Sequence, residues 1–246
     1  MSEYREFVYL SDAKLQQFAQ PRRRFFARPS AVRLTSPVGG VEVETPTADA
    51  ERDRMRRLAK LDKYLGERAE WFGTQGLRSG QWVWFEAPLR CVTLRDNYQH
   101  MVLFVDPAPG EDLPYEQETG CRLLLHGSSR HLVGNAPVAV DGPALEDIDG
   151  NGSSIGTTFL TSAGHAVRAL SLEHDPIADG VSAPSSDLTG SGVWDLLAAI
   201  DAHYAHAPGA WMRGLARVTK GLPATDHAAR CLVASPLSVE YAHDQA

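Results

Sequence analysis

Three apolar runs crowd the stretch from Gly80 to Val105: Trp82-Val83-Trp84-Phe85, Cys91-Val92-Thr93-Leu94 and Met101-Val102-Leu103-Phe104-Val105. Each is too short to build several helical turns, and each is rich in the β-branched and aromatic side chains that pack well on a pleated surface. Turn-type residues separate them, so the pattern predicts neighbouring antiparallel strands. Leu123-Leu124-Leu125 reads as a further buried strand, and the segments Trp211 to Thr219 and Cys231 to Tyr241 as two more. At the start, Phe7-Val8-Tyr9-Leu10 is a short strand that feeds a helix capped by Ser11. Val41 and Val43 alternate with Glu42 and Glu44, the pattern of a half-exposed strand.

Two segments carry a helical period. From Thr47 to Phe72, Met55, Leu58, Leu61, Leu65, Ala69 and Phe72 recur every three or four residues, and Asp49, Glu51 and Asp53 load the first turns in keeping with the helix dipole. A second helix is expected from Gly192 to His206, with Val193, Trp194, Leu197, Ile200 and Tyr204 inward. The fold class that follows is α+β, mostly antiparallel sheet backed by two main amphipathic helices. We read residues 1–246 as a single domain, with a loop-rich connector over about 141–192 where Gly, Ser, Asp and Pro dominate. Gly80-Gln81-Trp82 and Gly209-Ala210-Trp211 share a G-x-W pattern, each followed by an alanine (Ala87, Ala216), a V-T pair and a strand ending in proline (Pro107, Pro236). Two related halves would produce that pattern, and so would coincidence.

Composition narrows the function classes. With 24 basic and 31 acidic residues the chain carries a formal charge of −7, which keeps it soluble and argues against general nucleic-acid binding. A local exception is Arg22, Arg23, Arg24 and Arg28 with Phe25 and Phe26 between them, either a phosphate grip or a connector with buried phenylalanines. Cys91, Cys121 and Cys231 lie far apart with no C-x-x-C pair, so neither a thiolate zinc site nor a disulfide framework is expected. Glu3, Arg5 and Glu6 break the apolar character of the N-terminus, and no run of 18 apolar residues occurs. The expectation is a cytoplasmic protein off the membrane. No Walker loop, dinucleotide fingerprint or zinc-protease helix is present, so no cofactor or metal is expected.

Several constellations bear on chemistry. Leu123-Leu124-Leu125-His126-Gly127 looks like the strand and oxyanion loop of an α/β-hydrolase, and Gly152-Ser153-Ser154-Ile155-Gly156 matches G-x-S-x-G with Ser154 as nucleophile. Asp175 or Asp187 and His203 or His227 even follow in that family's order. The context opposes it. Glu146-Asp147-Ile148-Asp149-Gly150-Asn151 cannot be the buried strand before a nucleophile elbow, and Thr157-Thr158-Phe159 does not favour the helix after it. The same loop copies the first half of a calcium loop, yet its twelfth position is Thr158 where a bidentate Glu is required. His203 and His206 can share a metal with Asp201, or simply favour a helix C-terminus. The densest polar cluster beside a strand is His126, Ser128, Ser129, Arg130 and His131. These are the expected ligand-binding residues, with Arg130 suited to a carboxylate or phosphate.

Arg5-Glu6-Phe7-Val8-Tyr9-Leu10-Ser11-Asp12, Leu123-Leu124-Leu125-His126-Gly127-Ser128 and Ala234-Ser235-Pro236-Leu237 together resemble an uncharacterised actinobacterial family, a domain of unknown function common in streptomycetes. The resemblance implies one full-length domain and transfers no catalytic residue. The function expected is a non-catalytic module that binds a small ligand or a protein partner, as a sensor or accessory component. The alternative is a serine hydrolase using Ser154 or Ser129, with His126 as a further catalytic candidate.

Overall fold

A computed structural model describes residues 5–18, 48–93, 101–134, 186–204, 209–226 and 228–242. Asp12–Glu67 forms one compact unit, and Met1–Ser11 with Arg68–Ala246 forms another. The smaller unit holds α1 (Asp12–Gln17) and α2 (Ala48–Gly66). Arg54 Nε on α2 donates to Asp12 Oδ1 on α1 at 2.7 Å. Leu58, Leu61 and Leu65 are buried, as their spacing predicts, while Met55 is only half-buried. The helix stops at Gly66, short of the expected Phe72. Ala69 and Phe72 belong to the other unit, where Phe72 is a fully buried core residue.

Among the described residues, that larger unit contains seven strands: β1 (Phe7–Leu10), β2 (Glu70–Trp71), β3 (Trp82–Thr93), β4 (Met101–Val105), β5 (Arg122–Ser128), β6 (Ala210–Leu222) and β7 (Cys231–Tyr241). It also holds α3 (Leu113–Thr119), a single 3-10 turn (Ser129–His131) and α4 (Ser186–Tyr204). Strand β3 pairs with β6 through Trp82 to Leu89 and with β4 through Arg90 to Thr93. With β4 on β5, β5 on β7 and β7 on β6, the ladder returns to β3 and closes a five-stranded barrel. Closure removes the open edges that a twisted sheet would otherwise expose. β1 extends β7 and β2 extends β3.

Side-chain alternation divides the core in two. Val83, Phe85, Ala87 and Leu89 point into the barrel with Val102, Phe104, Leu123, Leu125, Leu232 and Ala234. The intervening residues Met101, Leu103, Val105, Leu124 and Val233 point outward and are covered by Val193, Leu196, Leu197 and Ile200 of α4. Strands buried on both faces must be apolar at every position, which is why β4 reads Met-Val-Leu-Phe-Val without alternation. β3 alternates because one of its faces, carrying exposed Trp84 and Glu86, stays open.

The expected α+β class holds, and five of the seven described strand pairings are antiparallel, in keeping with a mostly antiparallel sheet. The sheet is mixed, since β2 joins β3 and β5 joins β7 in parallel while the remaining pairings are antiparallel. The β5–β7 pairing is long-range and leaves no local sequence signal. The two G-x-W motifs open β3 and β6, which pair with each other, yet their glycines serve different ends. Gly80 adopts φ +88°, a left-handed conformation, whereas a Cβ at Gly209 would sit 3.0 Å from the Pro88 carbonyl. The strand expected at Val41 and residues 141–185 of the connector lie outside the described residues, and Ser186 to Gly192 begin α4. Among the described residues no helix is long and apolar enough to cross a membrane.

Candidate functional site

Among the described residues of the larger unit, the connection from β4 to β5 carries an elaborate polar cluster. β4 ends at Val105 and delivers Asp106 into the interior, while β5 begins with Arg122. Arg122 Nε donates to Asp106 Oδ1 at 3.1 Å, and its terminal nitrogens donate to both Asp201 oxygens at 2.6 and 3.1 Å and to the Asp106 carbonyl at 3.1 Å. Asp106 Oδ2 accepts from the Leu123 amide at 2.8 Å and from the Tyr115 hydroxyl at 3.3 Å. One guanidinium thus ties the barrel to α4 through Asp201. Between them, α3 is set by Asp112, whose side chain accepts from the Tyr115 amide at 3.1 Å, and it ends at Gly120 in the left-handed region.

Beside this triad lies an open cleft of about 120 Å³, bounded by the β4–β5 connection and by Ala229 of the β6–β7 loop. Pro107, Pro109, Tyr115, Cys121 and Ala229 give it mostly apolar walls, and Asp106 and Arg122 also line it. Engineered apolar cavities of ~150 Å³ hold a benzene-sized guest, so the space matches one apolar side chain or a small fragment. Trp211 of β6 stands edge-on to the Tyr115 ring with centroids 6.4 Å apart, and it remains 47% exposed.

Burial sets the protonation states here. It pushes the Asp106 carboxyl up to about 6, against the opposing pull of Arg122 and of the Leu123 amide. Burial alone would push Arg122 down, but Asp106 and Asp201 hold it above the ordinary guanidinium value. Desolvation and then Asp106 drive the Tyr115 phenol far up, and burial lifts the Cys121 thiol to about 11. At neutral pH both are protonated, so neither is a base or a thiolate nucleophile.

The residues expected from the sequence sit at the other end of β5. His126 turns to the outer side of the strand, is buried, and its Nε2 lies 2.9 Å from Thr219 Oγ1 of β6. Gly127 faces the opposite way, and a Cβ there would lie 2.5 Å from the Tyr9 hydroxyl. Tyr9 is buried, with its phenol pushed up to about 12 by burial. Its ring meets His131 edge-on at 5.8 Å. Ser128 is half-buried beyond it, Ser129 opens the 3-10 turn, and Arg130 is exposed with its Nε 3.4 Å from His131 Nε2. The five residues are therefore divided between a buried histidine and a turn docked beside β1. Asp201, weighed above as a metal ligand with His203, takes Arg122 instead. Asp187 and His203 lie on α4 with side chains outside the described residues. Ser154, Asp175, His206 and His227 lie outside them altogether, as do Asp147 to Thr158. No group of three or more His, Cys, Asp or Glu among the described residues is placed to hold a metal.

A family model described as a family of unknown function, DUF7019, matches residues 5–243. The chain belongs to that family. The match agrees with the domain-of-unknown-function resemblance drawn from the first, middle and last motifs. No curated protein and no solved structure matches the chain.

Proposed function

We propose that this DUF7019 protein is a non-catalytic binding module, a sensor or accessory component, whose docking site is the cleft beside α3. The observation that carries this reading is an apolar cleft whose polar neighbours are occupied by one another. Arg122 is consumed by two carboxylates, and Asp106 by Arg122, Leu123 and Tyr115. Catalytic groups need spare hydrogen-bonding capacity and a pKa near the working pH. Cys121 and Tyr115 are far from it, and Asp106, though near it, has both carboxylate oxygens engaged by Arg122, Leu123 and Tyr115. The turn at Ser128 to His131 is the weaker candidate for ligand binding, because His126 is buried away from exposed Arg130. A location in the cytoplasm, off the membrane, completes the proposal on the grounds of charge and composition.

A nucleic-acid reading draws on strand order alone. Counted within the barrel, the order 1-2-3-5-4 with the third and fifth strands parallel is that of an OB-type barrel, which binds oligonucleotides on the face of its second and third strands. The counterparts of those strands are β4 and β5, and α4 covers that face. Fold order therefore lends no function here.

The test is protein NMR of the full chain with apolar fragments up to benzene in size. Shifts should localise to Tyr115, Cys121 and Ala229 and vanish in Ala229→Trp, which fills the cleft. Labelling by a fluorophosphonate probe that disappears in Ser129→Ala or Ser154→Ala would instead restore the hydrolase.

A further inference from the structure

Resting on that cleft as the docking site, we infer that its occupant is a peptide segment of a partner protein that presents one aliphatic side chain flanked by basic residues. Size comes first. Pockets that enclose a whole small molecule run to ~300–1,000 Å³, whereas this cleft offers about 120 Å³. It accepts one leucine-, isoleucine- or methionine-sized group, as hot-spot pockets do. The surface beside it is apolar as well, since Trp211 packs edge-on against Tyr115 and is 47% exposed. A chain lying across the cleft would cover it, which a buried fragment would not.

Charge identifies the flanks. From Asp106 to Cys121 the chain holds five acids, Asp106, Glu111, Asp112, Glu116 and Glu118, and neither lysine nor arginine. Glu111 is matched by Arg90. Asp106 and Asp201 share the single charge of Arg122, which leaves that triad one negative charge in excess. Asp112 and Glu116 accept from the amides of Tyr115 and Gly110, neutral donors that fix them in place and supply no counter-charge. Glu118 is exposed. Arg230, next to Ala229 in sequence, donates to the carbonyls of Gly73 and Thr74. Acids on the connection that bounds an apolar hole, with Glu116 in its wall, attract lysine and arginine on either side of an anchor and disfavour phosphate, so neither nucleic acid nor an anionic lipid surface fits it.

The test measures fluorescence anisotropy of labelled nine-residue peptides with the full-length protein. One peptide has a central leucine flanked by lysines, a second has the same leucine flanked by glutamates, and a third has a central alanine flanked by lysines. The first should bind roughly 10-fold tighter than either comparator, and that margin over the glutamate peptide should shrink at high salt. Ala229→Trp should weaken it roughly 10-fold, and Glu118→Lys, on an exposed helix position that does not threaten folding, roughly 3-fold. If the glutamate-flanked peptide binds as well and still loses affinity in Ala229→Trp, the basic-partner inference is wrong and the docking cleft stands. If the lysine peptides bind regardless of the central leucine and of Ala229→Trp, attraction is diffuse and both fall. No binding by any of the three peptides also overturns the inference.

Discussion

β5 has two ends with opposite characters. At its start, Arg122 is buried and held by two carboxylates, and its neighbours wall a cleft. At its close, Ser128 to His131 carry a comparable density of polar side chains, yet Arg130 lies in solvent and the turn rests beside Tyr9. Polar residues at a strand end are common because water can satisfy them. A buried charge is different, since removing it from water costs several kcal/mol, on the order of the stability of a whole domain, unless partners replace the lost hydration. The end that looks richer in sequence is thus the one under less physical constraint.

The largest expected effect tests that asymmetry directly. Arg122→Ala leaves buried Asp106 and half-buried Asp201 without their cation and should destabilise the chain by ~3–5 kcal/mol in urea unfolding. A loss below ~1 kcal/mol would show that the triad is solvated and erase the contrast between the two ends. Replacing Arg122, Asp106 and Asp201 together by apolar residues of similar size should restore stability, because no charge is then left unpaired. If the triad positions the cleft, the restored protein should nevertheless show altered fragment binding.

A pH series sharpens the same point. Because burial raises Asp106 from the ordinary 3.8 to about 6, the folded state holds a proton that the unfolded state releases between those values. Its contribution to stability is therefore complete below about pH 4 and lost as pH rises through about 6. Urea midpoints should favour the parent over Asp106→Asn at the acidic end of that window, with the margin narrowing towards neutrality. A margin that widens with pH would mean that Arg122 and the hydrogen bonds outweigh burial. Tyr115→Phe should cost about 1 kcal/mol, the scale of one hydrogen bond to Asp106.

Legibility in the sequence followed the range of the forces involved. The strand cores at Trp82, Met101, Leu123 and Cys231, and the apolar stripe of α2, rest on local periodicity and were readable. α3 was also readable in principle, since Asp112 as N-cap, Pro114 in the first turn and Gly120 at the close are local signals. The short Glu70–Trp71 strand is defined only by its pairing with Val83 and Trp84. The triad joins residues 16 and 79 positions apart. In sequence, Asp106 and Arg122 merely flank apolar runs, as solvated strand ends do, and nothing local tells a paired charge from a hydrated one. His126 misled for the converse reason: its neighbours in sequence alternate across the strand, so adjacency to Gly127 and Arg130 does not bring its ring to them.

The smallest expected effect is at Arg130, and it is the most direct way to break the comparison. An exposed guanidinium at the end of a 3-10 turn has water for its donors, so Arg130→Ala should change stability by no more than ~0.5 kcal/mol. The nearby His131 ring, which meets Tyr9 edge-on, gives Arg130 a weak contact whose loss is compensated by solvent. The measurement is the urea midpoint of Arg130→Ala beside that of Arg122→Ala under identical conditions. The same two variants should separate in the peptide assay, with Arg130→Ala binding as the parent does. A loss at Arg130 comparable to that at Arg122, in stability or in peptide affinity, would mean that the turn beside Tyr9 is a built site after all and that β5 carries function at its other end.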